Sequence, residues 1–210
     1  MMKLIKILLS VWLISSVCNP AVSQYFPSEV WHEGQVTLLD GAELQGKIKY
    51  NIDADLIQLN TSNRIQTYSA RKILFFEIMD QELGRYRQFY ALPYNVRPNY
   101  KVPMIFEVLY ENTLTLMSRE KVVQEAVPQY GYYNQFGNNA FSRLRLDFDY
   151  FFLDESGNIT PYTQKKDDLY QILSKNRREV ERYIKENRLK HDRQRDLVRI
   201  TAYYNSLLNT

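Results

Sequence analysis

The chain has 210 residues, of which 45% are hydrophobic, 24% charged and 14% aromatic, with a formal net charge of +3. That composition excludes a disordered tail, a collagen-like fibre and a many-pass membrane protein, and seven Gly with seven Pro exclude a low-complexity linker. The unusual counts are seventeen Tyr, two His and a single Cys.

Lys3 and Lys6 open the chain with positive charge, Ile7 to Val17 is apolar, and Ala21-Val22-Ser23 places small residues before Gln24. This order predicts a cleaved secretory signal over residues 1–23. Its apolar run of about eleven residues is short for a bilayer core of roughly 30 Å at 1.5 Å per residue. Cys18 would anchor the protein if it were lipid-modified. Val17 before it and Ser15 three positions upstream differ from the usual lipoprotein signal, so a bystander thiol is expected. Removing residues 1–23 leaves no cysteine, and so no disulfide, thiol nucleophile or zinc–thiolate site.

Charge divides what remains. Residues 24–162 carry 13 Lys and Arg against 17 Asp and Glu, whereas 163–210 carry 12 against 7. The acidic part reads as strands. Leu44, Gly46, Ile48 and Tyr50 alternate with Gln45, Lys47 and Lys49, the period of a strand with one buried face. Gln35 to Leu39 meets this run through Asp40-Gly41, a strong hairpin signal. Asp55 to Asn60 and Arg64 to Ser69 form a second predicted hairpin around Thr61-Ser62-Asn63. Lys72 to Met79 and Arg85 to Ala91 form a third, turning near Gly84.

Pro93, Pro98 and Pro103 predict a loop, because none can donate a ladder hydrogen bond. Strands resume over Met104 to Tyr110 and Thr113 to Ser118 with a turn at Glu111-Asn112, and a further strand over Lys121 to Val127. The clearest alternation sets Leu144, Leu146, Phe148, Tyr150 and Phe152 on one face and Arg143, Arg145, Asp147 and Asp149 on the other. Glu155-Ser156-Gly157-Asn158 ends it. Short strands at this spacing predict an α+β protein: an antiparallel β-sandwich or partly open barrel over 24–162, followed by a short C-terminal helical region.

After Pro161 the period becomes helical. Leu169, Ile172 and Leu173 share a face, with Asp167 and Asp168 in the first turn. Asn176 is placed to cap a second helix lined by Val180, Tyr183 and Ile184. Asp192 is placed to cap a third, with Leu197, Ile200, Tyr204 and Leu207 at helical spacing. Such short helices are marginal alone, so residues 163–210 are expected to dock on the β-domain or on each other.

Catalytic constellations are mostly absent from the sequence. There is no G-x-S-x-G elbow, P-loop or G-x-G-x-x-G, and two histidines cannot build a multi-histidine metal site. No catalytic residue, cofactor or metal is expected. His32 beside Trp31 reads as a surface histidine, with a general base as the alternative, and Asp53 and Asp55 as turn residues. Asp147 and Asp149 share a strand face and are the one carboxylate pair for a glycan hydrolase. Arg143 and Arg145 on that face predict a charge-paired surface instead.

Two segments carry binding chemistry. Tyr130, Tyr132, Tyr133 and Phe136 stand in a run of rings and amides without charge, suited to stacking on a sugar or meeting a protein. The same run also fits a loop folded over the core. Arg178, Arg182 and Lys185 make a basic row on one helix, suited to an anionic surface. Arg177–Glu181, Glu181–Lys185 and Arg182–Glu186 at i, i+4 describe a solvated face equally well.

Gly34-Gln35-Val36-Thr37-Leu38-Leu39-Asp40-Gly41 followed by Leu44, Gly46, Ile48 and Tyr50 resembles the opening of uncharacterised exported β-domain proteins common in Bacteroidota. So do Tyr68-Ser69-Ala70-Arg71-Lys72-Ile73, Phe89-Tyr90, Phe106-Glu107-Val108-Leu109 and Tyr203-Tyr204-Asn205. These are turns and core positions. The resemblance therefore implies compartment and architecture and carries over no catalytic residue.

The expected protein is exported, periplasmic or outer-membrane-associated, and acts as a non-catalytic binding or assembly module of the cell envelope. Its expected partner is an envelope protein or a glycan, not nucleic acid. Membrane association is expected only peripherally or through lipid at Cys18. The rival readings are a carbohydrate-active hydrolase and a membrane-surface protein acting through its basic helices.

Overall fold

The computed structural model describes residues 26–62, 64–126 and 142–208. The segment expected to be a signal, residues 1–23 with Cys18, and Tyr130, Tyr132, Tyr133 and Phe136 lie outside them.

A 3-10 turn, Pro27–Glu29, leads into ten strands. These are β1 (His32–Leu38), β2 (Glu43–Asn51), β3 (Leu56–Thr61), β4 (Arg64–Ser69) and β5 (Ile73–Asp80). There follow β6 (Arg85–Arg97), β7 (Tyr100–Tyr110), β8 (Thr115–Ala126), β9 (Ser142–Leu153) and β10 (Ile159–Tyr162). All pair antiparallel in a single open sheet, in the order β10-β9-β8-β7-β6-β5-β1-β2-β3-β4. Helices α1 (Lys166–Ile172), α2 (Arg177–Glu186) and α3 (Gln194–Leu208) complete an α+β architecture.

The local signals act as their chemistry demands. Gly41 adopts φ +85°, and Leu38 and Ala42 close the hairpin around it. Gly157 turns at φ +78° under three hydrogen bonds to the Asp154 carboxylate. The proline segment departs from expectation. β6 and β7 run on through it, with Pro93 opposite Pro103, and only Pro98-Asn99 turns. Two prolines can face each other where neither N–H would point at the partner strand, so the ladder loses nothing there. The two strands expected around Arg119 and Glu120 are one, β8, and β10 was not expected. Helix α3 begins at Gln194, two residues beyond Asp192, and the Asp196 carboxylate in its first turn accepts from Lys190 N–H.

One face of the sheet is continuous from strand to strand. Register places Val36, Ile48, Tyr50, Ile57, Leu59, Phe76, Ile78, Phe89 and Ile105 on it, and these pack into one buried core. Farther along the same face, Leu116, Tyr150 and Phe152 pack with Leu169, Leu173, Val180, Leu197, Ile200 and Tyr204 of the helices. Asn205 fastens α3 to the turn before β8, accepting from Leu114 N–H (2.8 Å) and donating to Leu114 C=O (2.9 Å).

The sheet curls and forks. β7 pairs with β8 only through Glu107, Val108 and Tyr110, leaving the Ile105 main chain free on that side. The β2–β3 turn fills the fork. Asp55, at φ +52°, accepts from Ile105 N–H and from Arg119 (both 2.7 Å), while Arg119 donates to the Ile105 and Ile52 carbonyls. Asp55 thus serves the tertiary structure as well as its own turn.

Candidate functional site

Between the two cores, the buried face carries charge. Arg87 of β6 lies two residues before Phe89, Glu107 of β7 two after Ile105, and Glu120 of β8 two after Ser118. Strand periodicity therefore turns all three inward, where Asp80 of β5 joins them. Arg87 is 3% exposed and every one of its five N–H donors is used. Nε donates to Glu107 (2.9 Å), Nη1 to the Tyr50 hydroxyl (2.8 Å) and Asp80 (3.2 Å), and Nη2 to Glu107 (2.8 Å) and Glu120 (3.0 Å).

The six carboxylate oxygens fare unequally. Leu83 N–H satisfies the second Asp80 oxygen, and Arg85 and Ser118 add to Glu107. Glu120 Oε1 alone of the six lacks a well-formed hydrogen bond, although its side chain is only 4% exposed, and the Tyr50 hydroxyl, which accepts from Arg87 and has its own proton to give, is its neighbouring donor. Burial raises the Glu120 pKa, while the charge of Arg87 and hydrogen bonds from Arg87 and Tyr50 pull it down without cancelling the rise. Burial also drives the Tyr50 hydroxyl far up. Burial works against the charge of Arg87, yet Glu107, Tyr50 and Glu120 together outweigh it and keep the guanidinium firmly protonated.

Glu120 and Leu146 stand in the walls of two cavities. The larger, about 460 Å³, lies between the β2–β3 end of the sheet and β8–β9. Its apolar lining is Ile52, Leu56, Ile57, Val122 and Leu146, and its polar lining includes Lys49, Tyr50, Asn51, Gln58 and Lys121, with Glu29 and Asp53. The smaller, about 210 Å³, has Pro27, Arg85, Arg87, Glu107 and Phe148 in its wall. The Pro27–Glu29 turn separates them, held by His32, whose Nε2–H donates to Pro27 C=O at 2.8 Å. His32 is 3% exposed, so it is a buried structural residue and not the surface histidine expected.

The residues singled out by sequence do not converge on this site. Asp147 and Asp149 lie on the opposite face of β9, Asp149 paired with Lys121 (2.5 Å) and Asp147 with Arg145 (3.5 Å). Arg143 and Arg145 both approach Glu125, at 2.9 and 3.9 Å, which completes a charge-paired ladder. Arg178, Arg182 and Lys185 are exposed on α2. Glu181, expected to pair within that helix, reaches Lys166 of α1 instead (3.6 Å), and Arg177 covers the Tyr170 ring.

The buried cluster was missed, yet it left a trace. Asp80, Arg87, Glu107 and Glu120 occupy the apolar phase of otherwise alternating strands, and a charged residue at such a position needs a partner inside. Among the described residues, no group of three His, Cys, Asp or Glu is placed to hold a metal ion, and no helix is long and apolar enough to cross a membrane. The chain matches no protein-family model, no curated protein and no solved structure.

Proposed function

We propose that the protein is an exported, non-catalytic binding module of the bacterial cell envelope, and that it captures its partner in the larger cavity. The carrying observation is that cavity, about 460 Å³, walled by apolar and polar side chains together. Ile52, Leu56, Ile57, Val122 and Leu146 offer a partner apolar contact, and Asn51, Gln58 and Thr67 offer it hydrogen bonds. The export part rests on Lys3, Lys6, the Ile7–Val17 run and Ala21-Val22-Ser23. The non-catalytic part rests on the carboxylates. Asp147 and Asp149 are held by ion pairs, and Glu107 is saturated with donors.

The test is photo-crosslinking in intact cells from an unnatural residue at Gln58, exposed on the cavity lining, with Glu43 at the other end of the β2–β3 region as control. A defined envelope partner trapped from Gln58 but not from Glu43 is the expected result. Equal labelling from both sites, or none, contradicts the reading.

A further inference from the structure

The ten-stranded sheet is open and ends in two edge strands, β10 and β4. The β10 edge is blunted: it is four residues long and carries Pro161, which has no N–H to offer a further strand. The β4 edge lacks such protection. Its six residues, Arg64-Ile65-Gln66-Thr67-Tyr68-Ser69, contain no Pro, Gly, Lys or acidic residue, and Ile65 is exposed on it.

The phase of the β3–β4 ladder says which main-chain groups that edge leaves open. Ala70 N–H donates to the Asp55 carbonyl at 2.9 Å, so Asp55 and Ala70 form a hydrogen-bonded pair. Alternation passes the same role to Ile57–Tyr68, Leu59–Gln66 and Thr61–Arg64. Ile65, Thr67 and Ser69 therefore turn N–H and C=O away from β3. The Ser69 carbonyl is taken by Lys72 N–H (2.8 Å), whereas the N–H and C=O of Ile65 and Thr67 have no partner among the described residues.

One pairing of β4 with itself satisfies all four groups. A two-fold axis through Gln66 sets Ile65 opposite Thr67 of a second copy, and Thr67 opposite Ile65, so that each pair exchanges two hydrogen bonds. An axis at Thr67 would instead set Ile65 against Ser69, whose carbonyl is already engaged. With the axis at Gln66 the side chains match as well. β-Branched Ile65 and Thr67 meet on one face, while on the other the two Gln66 amides meet and Arg64 faces the Tyr68 ring. No like charges stand opposite each other.

We propose that β4 is a self-association edge, through which two copies of this chain join antiparallel into one continuous sheet with Gln66 on the two-fold axis. This rests on the strand edge and goes beyond capture in the larger cavity. A seam of one short strand per copy buries less than the roughly 1,600 Å² of a standard interface, so the dimer is expected to be weak, forming at about 100 μM and dissociating by about 1 μM.

Sedimentation velocity of the purified protein over that range tests it, and the mass should shift from monomer to dimer with concentration. Ile65→Pro removes an outward N–H that β3 does not use. It should leave a monomer throughout, with an unchanged far-ultraviolet circular dichroism spectrum. Single cysteines, in a chain whose one native thiol is removed by Cys18→Ser, read the register without reliance on the proline variant. Across the axis the two Gln66 Cα atoms would be about 4.5 Å apart, within disulfide reach, whereas Ile65 and Thr67 would each lie beyond about 7 Å from their own counterparts. Gln66→Cys should therefore oxidise to a covalent dimer, and Ile65→Cys and Thr67→Cys should not. A monomer at every concentration, with no disulfide from Gln66→Cys, overturns the proposal and leaves the edge to a strand of another protein. A dimer that survives Ile65→Pro, or one that crosslinks from Thr67→Cys and not from Gln66→Cys, overturns it as well.

Discussion

Glu120 shows how a single side chain can set the pH response of a fold. Burial lifts its pKa above the ordinary 4.5, with Arg87, Tyr50 and Glu107 around it and Asp80, Arg85 and Ser118 in the next contacts of the cluster. From pH 4.5 upward, the native state therefore holds a proton that the unfolded chain has released. Stability is fully present below the unfolded value and is lost as pH rises through the folded one, with a slope of up to about 1.4 kcal/mol per pH unit. Glu120→Gln has no proton to lose. Urea unfolding of both proteins from pH 4.5 to neutrality should show the wild type losing stability relative to the variant. A wild type that gains on the variant over that range would contradict the burial argument. The residue scale is also where the sequence was least legible. Glu120, Glu107 and Arg87 are ordinary charged residues until register brings them together from strands 13 to 33 positions apart in the chain.

At the scale of elements the sequence was far more legible. The β1–β2, β3–β4 and β5–β6 hairpins and the alternation of β9 follow from period-two patterns and turn residues, which are local. The prolines misled because their meaning depends on pairing: a ladder that needs no N–H at Pro93 or Pro103 is visible only with the opposite strand in place. The fork between β7 and β8 is likewise non-local, and so is the use of Asp55 to fill it. Gly34 gives this scale a direct test. It pairs with Gly46 across β1–β2, and a Cβ added at Gly34 would overlap the Glu77 carbonyl oxygen of β5 and crowd Ile78. Backbone cannot move aside as a side chain can. Gly34→Ala is expected to cost about 3 kcal/mol or more in chemical denaturation. Gly41→Ala, at φ +85° with open space around it, should cost only about 1 kcal/mol. Equal losses at the two positions would mean that the sheet is not packed as tightly at Gly34 as its register requires.

For the molecule as a whole, the curled sheet brings β2–β3 opposite β8–β9, and this creates the cavity. The helices close the other end of the same face, so that the charged cluster lies between two apolar cores. Composition and periodicity pointed to this architecture. The cavity itself was not legible, because its walls come from Ser28 to Leu146 and depend on the curl. The most direct measurement is a carboxyl 13C NMR titration of glutamate-labelled protein, with the Glu120 resonance assigned by its loss in Glu120→Gln. The account predicts a midpoint above 4.5. A midpoint at or below the ordinary value would contradict it.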